Sequence, residues 1–126
     1  MRAVDTNVLV RLLTQDDARQ VAAARQWVQE GVWVSTLALA ETVWVLSVVY
    51  DRSPSEIASA VQTLLNHRDL TLQDSDVVAS ALVKFRERPS VGFSDCLLLE
   101  LARKAGHLPL GTFDRNFSKL DGVQKL

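Results

Sequence analysis

The chain has a single cysteine, Cys96, so no disulfide can form within it. That pattern suits a reducing compartment such as the cytoplasm. With only three prolines and five glycines there is no Pro/Gly-rich linker, and no internal repeat stands out. The 126 residues fit one domain, 1–126. Charge of one sign is also lacking. The net charge of −1 excludes a polybasic nucleic-acid binder, so any nucleic acid must be met by a local patch or through bound metal. No apolar run is long and clean enough to span a bilayer. The nearest, Val32 to Tyr50, carries Glu41 at its middle among Ser35, Thr36, Thr42 and Ser47, and a carboxylate there is costly in lipid. No membrane association is expected, and the early Asp5 argues against a secretory signal. A Walker loop and a GxGxxG turn are both absent. The only histidines, His67 and His107, form no zinc spacing with Cys96.

What is present is an alternation of short apolar runs with helical patterns. Arg2 to Val4 reads as a first strand, and Thr6 to Thr14 as a helix with apolar spacing through Val8, Leu9, Leu12 and Leu13. Asp16 or Asp17 can cap a second helix running to Glu30, which Gly31 ends. Val32 to Val34 is a strand, and Thr36 to Tyr50 a helix apolar on nearly every face. Ser53-Pro54-Ser55-Glu56 is a helix start, with a capping residue, a proline in the first turn and a glutamate three positions on. That helix runs to about His67. Leu70 to Leu72 is a strand, and Asp74 or Ser75 opens a helix to about Glu87. Arg88 to Gly92 reads as a loop, and Ser94 as the cap of a helix ending at Gly106. Leu108 to Thr112 and Gly122 to Leu126 are the last strands. The pattern predicts an α/β fold, with a central parallel sheet of four to five short strands flanked by helices on both faces.

In such sheets ligands bind beyond the carboxyl ends of the strands. Asp5 follows the first strand and Asp114 the fourth, Glu41 lies in the first turns of the helix after the second, and Asp95 opens the helix after the Pro/Gly loop. All four are expected at one edge of the sheet. Asp5 reads equally well as a helix cap, Asp95 as a complement to the helix dipole, and Asp114 as a turn residue. Glu41 is different. Its helical neighbours Leu37, Ala38, Trp44 and Val45 are apolar, and Leu37 to Tyr50 holds no lysine or arginine. A glutamate there is either partly buried or at a cleft, and a buried one needs a partner, either a metal ion or an arginine from elsewhere in the chain. Four converging carboxylates would repel one another and raise their own pKa values. A divalent cation reverses this, and oxygen ligands suit Mg²⁺ or Mn²⁺.

At these residues the sequence resembles the PIN-domain family, and within it the VapC-type toxins of bacterial toxin–antitoxin pairs. The resemblance is carried by Val4-Asp5-Thr6-Asn7-Val8-Leu9, Leu39-Ala40-Glu41-Thr42, Phe93-Ser94-Asp95-Cys96-Leu97 and Gly111-Thr112-Phe113-Asp114-Arg115-Asn116-Phe117. It implies a PIN fold and a metal-dependent endoribonuclease directed at single strands. The products would carry a 5′-phosphate and a 3′-hydroxyl. Asp5, Glu41, Asp95 and Asp114 match the family's acidic quartet and would hold Mg²⁺ or Mn²⁺. Thr112 matches a supporting polar position, with Asn7 and Asn116 as further supporting candidates. Arg11, Lys84, Arg86, Arg88 and Arg115 are the candidate RNA phosphate contacts, each of which also reads as part of a solvated helix face. The resemblance further implies a homodimer and a VapB-type antitoxin, with the surplus of apolar residues among Val43, Trp44, Leu46, Val48 and Val49 as their surface. The same helix reads equally as fully buried core.

Three other readings compete. One is an RNA-processing PIN nuclease without an antitoxin. Another is a phosphotransfer domain, of the haloacid-dehalogenase phosphatase or receiver type. The phosphatase needs a second aspartate two residues after the first, where this chain has Asn7. The receiver needs an early acidic pair and a late lysine, neither of which is evident. The third is a non-catalytic binding module, and an acidic pocket without metal is a poor RNA binder.

Overall fold

Short runs such as Val32–Val34 and Leu70–Leu72 become strands, and the longer segments between strands become helices. A computed structural model describes all residues from 1 to 126. The chain divides into two compact units, Met1–Ser75 and Asp76–Leu126.

The first unit holds β1 (Arg2–Ala3), α1 (Thr6–Thr14), α2 (Ala18–Val28), β2 (Val32–Val34), α3 (Thr36–Val48), α4 (Pro54–Asn66) and β3 (Leu70–Leu72). Its strands are parallel in the order β1-β2-β3, with Arg2 opposite Val32 and Val32 opposite Leu70. Val32, Val34, Leu70 and Leu72 are buried, while Ala3, Trp33 and Thr71 form an exposed row across the sheet. Trp27 reaches back to β1. Its indole N–H donates to the Ala3 carbonyl at 3.0 Å, and the Arg2 guanidinium lies 3.6 Å from the ring centre. All four helices start on side-chain caps: Asp5 for α1, Asp17 for α2, Ser35 for α3 and Ser53 for α4. Ser53 and Glu56 bond reciprocally to each other's backbone N–H, as the sequence predicts.

The helix α3 is not fully buried. One face, Ala38, Leu39, Thr42, Val43 and Leu46, is core, while Leu37, Trp44 and Val48 are 67%, 59% and 60% exposed. Residues four, three and four apart share a helix face, so Leu37, Glu41, Trp44 and Val48 form one open stripe. Of the two settings expected for Glu41, partial burial or a cleft, partial burial is corrected: its side is the exposed one.

The second unit follows with α5 (Ser75–Glu87), α6 (Phe93–Ala105), β4 (Leu110–Thr112) and β5 (Val123–Lys125). Pro89–Val91 is a 3₁₀ turn within the expected loop, and Phe117–Lys119 is another inside the β4–β5 connection. Phe85 and Phe93, both buried, meet edge to face with ring centres 6.0 Å apart. Ser94 does not cap α6. Gly92, at φ 92°, occupies that position without a side-chain bond, and the helix begins at buried Phe93. The strands β4 and β5 pair parallel, Leu110 opposite Val123. Arg103 braces their connection, donating to the Asp121 carbonyl at 3.0 Å and to Glu100 at 3.2 Å. Gly122 closes that turn at φ 90°, where a Cβ would come within 3.2 Å of the Arg103 guanidinium.

The α/β class and the parallel strands are as expected. The pairing differs: five strands form a three-stranded sheet and a separate two-stranded ladder, not one sheet of four to five. β1 is only two residues long and the others three, so each ladder has few hydrogen bonds to extend.

Candidate active site

In the first unit the acidic residues gather around the start of α1. Asp5 leaves β1 in extended geometry and caps the helix, its Oδ1 accepting from the Val8 N–H at 3.2 Å. The cap reading of Asp5 is thus correct, and it occupies one carboxylate oxygen. The next residue, Thr6, donates its hydroxyl proton to Glu41 Oε2 at 2.7 Å. This bond ties the α3 acid to the residue beside Asp5. Glu41 finds a hydroxyl partner, not an arginine. Asn7 is exposed in the same first turn of α1.

Arg11 is committed elsewhere. Its guanidinium donates to Gln20 Oε1 at 2.6 Å, Asp16 Oδ1 at 2.7 Å and the Tyr50 hydroxyl at 3.1 Å. Tyr50 in turn donates to Asp16 Oδ2 at 2.8 Å. The Tyr50 hydrogen bond, the Thr14 hydroxyl and the Arg11 charge hold Asp16 below the usual carboxylate range. Arg11 serves as a clamp between helices, a use that neither Asp16 nor Tyr50 announces in the sequence.

In the second unit Asp95 lies in the first turn of α6, half-buried. Burial pushes its carboxyl above the ordinary value, and the charge of Asp114 pushes it further. Asp114 follows β4 on a fixed turn. Its backbone N–H donates to Thr112 Oγ1 at 3.0 Å, and its Oδ1 accepts from the Phe117 N–H at 2.9 Å. Thr112 therefore supports the turn that presents Asp114. Asn116 acts one step away, donating to the Ser90 hydroxyl at 2.9 Å in the loop before α6. Lys84 is half-buried, whereas Arg86, Arg88 and Arg115 are exposed.

One further residue of this unit, Glu100, escaped the sequence reading, whereas Cys96 packs in its helix as expected. Glu100 is only 7% exposed and is paired with Arg103. Cys96 is fully buried, and its thiol is pushed up to about 11, first by burial and then by Asp95 and Glu100. A thiol so placed is inert packing, not a nucleophile. Only its spacing of four residues from Cys96 could have signalled Glu100.

The structure thus pairs Glu41 with the neighbour of Asp5, and Asp95 with Asp114. Within neither unit do three acidic, histidine or cysteine side chains gather into a ready-made metal site. The donors are carboxylate oxygens, which suit hard divalent cations, and a cation would relieve the Asp95–Asp114 repulsion.

A family model for the PIN domain matches residues 2–123. The chain belongs to the PIN-domain family. Comparison with curated proteins and with solved structures gave no match. The PIN domain is a metal-dependent nuclease fold, so a hydrolase acting on nucleic acid is the class of enzyme to which this PIN protein belongs. That membership sets aside the phosphatase and receiver readings. No helix of this PIN domain is long and apolar enough to cross a membrane.

Proposed function

We propose that this PIN protein is an endoribonuclease dependent on Mg²⁺ or Mn²⁺, acting in the cytoplasm as the toxin of a toxin–antitoxin pair. Residues 1–126 act as one domain, and Asp5, Glu41, Asp95 and Asp114 are its acidic residues. The observation that carries the reading is the Asp95–Asp114 pair: two like charges beside a strand end, with the Asp95 carboxyl raised. A bound divalent cation would relieve that repulsion.

A divalent cation held by the Asp95 and Asp114 carboxylates would lower the pKa of a water and steady charge developing on a phosphodiester. The protein's part is placement. Thr6 orients Glu41, and the Thr112 hydroxyl and the Phe117 N–H fix the Asp114 turn. Asp95, half-buried, can hold or release a proton closer to neutrality than an exposed aspartate. Arg88 and Arg115 are exposed and are the leading phosphate contacts, with Lys84 and Arg86 beside them in the sequence. Arg11 ranks last because of its clamp. The open stripe Leu37, Trp44 and Val48 supports the protein partners of the toxin reading, a second copy and an antitoxin.

Purified protein is incubated with total RNA in Mg²⁺, in Mn²⁺ and in EDTA, beside Asp5→Asn and Asp95→Asn. Discrete cuts that require both metal and the acids are expected, and mapping their ends identifies the target. Metal-independent cutting, or cutting that survives both substitutions, would overturn the assignment.

A further inference from the structure

Phe113 stands between Thr112 and Asp114 and is 81% exposed, more than any other large apolar side chain except Met1. A single exposed hydrophobe is ordinary. This one is distinguished by how it is held. The Thr112 carbonyl accepts from the Leu126 N–H at 2.8 Å, and its hydroxyl accepts from the Asp114 N–H. The Asp114 side chain then accepts from the N–H of Phe117, whose own ring is buried. Residues on both sides of Phe113 are therefore fixed, and the ring projects from a rigid turn. With the backbone held, only the two side-chain torsions of the ring are left to be ordered on binding.

The charge around it makes a non-ionic contact useful. Asp114 adjoins the ring, and Asp95 is close enough to feel the Asp114 charge. A polyanion approaching these carboxylates is repelled, and a base stacked on an aromatic face is indifferent to that repulsion. Stacking is also sequence-tolerant, since every base has a π-face. A base paired in a duplex already has its faces covered, so such a ring favours single strands.

We propose that Phe113 is a base-stacking platform that positions a single-stranded nucleotide of the substrate beside Asp114. It is a positioning residue for whatever strand is cut, and the inference rests on the nuclease reading above. Arg115, exposed two residues on, is placed to meet the phosphate of the same strand.

The test measures binding of a labelled single-stranded RNA oligonucleotide in EDTA, where metal-dependent cleavage cannot intervene. Phe113→Ala and Phe113→Leu are expected to weaken binding roughly tenfold, and Phe113→Tyr to keep it. An abasic ribose-phosphate oligomer and the annealed duplex should bind wild type and Phe113→Ala alike. Phe113→Trp adds an indole to a unit with none, so its emission should be quenched by the single strand beyond the baseline of the native Trp27, Trp33 and Trp44. Equal binding by Phe113→Leu and wild type overturns the proposal, as does equal weakening towards the abasic oligomer. So does a change of oligomeric state in Phe113→Ala without a change in binding. Cleavage by wild type and Asp114→Asn in Mg²⁺ is scored in parallel. If wild type cuts and Asp114→Asn does not while Phe113 is indifferent, only the platform fails; if nothing cuts or binds, the nuclease reading falls and takes the platform with it.

Discussion

Thr6 is one residue from Asp5 and hydrogen-bonded to Glu41, so it sets the direction in which an exposed and otherwise mobile glutamate points. Glutamate loses about 1.5–2 kcal/mol of rotamer freedom when fixed, and the Thr6 hydroxyl makes part of that ordering before substrate arrives. Thr6→Val keeps the branched shape at the start of α1 and removes only the donor. The expected outcome is a drop in cleavage rate of about ten- to a hundredfold, the usual cost of losing a residue that orients a metal-binding side chain. Steady-state cleavage checks it beside a melting curve, which should move little because Glu41 is solvent-exposed. Unchanged rates would remove Glu41 from the set of acids that need orientation. At this scale the sequence was informative about residue type and weak about environment. Asp5 was legible both as cap and as candidate acid because a cap uses one oxygen of two. The sequence does not decide between partial burial and a cleft for Glu41, because its helix neighbours are apolar, and apolar residues on α3 face solvent as well as core. The Arg11–Asp16–Tyr50 clamp was illegible, since its members lie up to 39 residues apart.

The helices and strands were legible where local chemistry decides them. Thr6–Thr14, Val32–Val34 and Leu70–Leu72 fall where the patterns of spacing and turn residues put them. The start of α4 is the clearest instance, because Ser53, Pro54 and Glu56 each supply a separate part of a helix N-terminus. The start of α6 was missed by two residues. Ser94 has the right side chain for a cap, but Phe93 is drawn into the core against Phe85, and the helix begins with it. The pairing into two ladders was missed for a related reason: nothing within a three-residue strand records which neighbour it will bond. The capping box also sets a pH dependence. The Ser53 backbone N–H and hydroxyl, and the Arg52 charge, hold the Glu56 carboxyl below its ordinary value. A depressed folded pKa contributes stability above the unfolded value, near 4.5, and that contribution is lost as pH falls through the folded one. Glu56→Gln is therefore expected to melt below wild type at neutral pH, with the gap closing as the solution is acidified through the carboxylate range. Melting temperatures at a series of pH values check this. A gap that stays constant would mean the glutamate charge contributes nothing to the box.

The two units raise a question that belongs to the whole chain: whether residues 1–126 fold as one cooperative domain. Three features favour one. The family match runs from residue 2 to residue 123 and so crosses the boundary between the units. That boundary falls at the start of α5, between Ser75 and Asp76, with no proline- or glycine-rich segment around it. The second unit, about fifty residues without disulfides, is of a size at which isolated domains are marginal. The tryptophans supply the probe. Trp27, Trp33 and Trp44 all lie in the first unit, so their emission follows that unit alone, whereas circular dichroism follows helices of both. In urea the two signals are expected to trace one transition with the same midpoint, the signature of all-or-none unfolding. Phe113→Trp extends the comparison, since its added emission reports the second unit directly and should lose its native signal at that same midpoint. Separate midpoints would mean that Asp95 and Asp114 sit on an element that opens independently of Asp5 and Glu41, and the one-domain reading would fail while the PIN assignment stood.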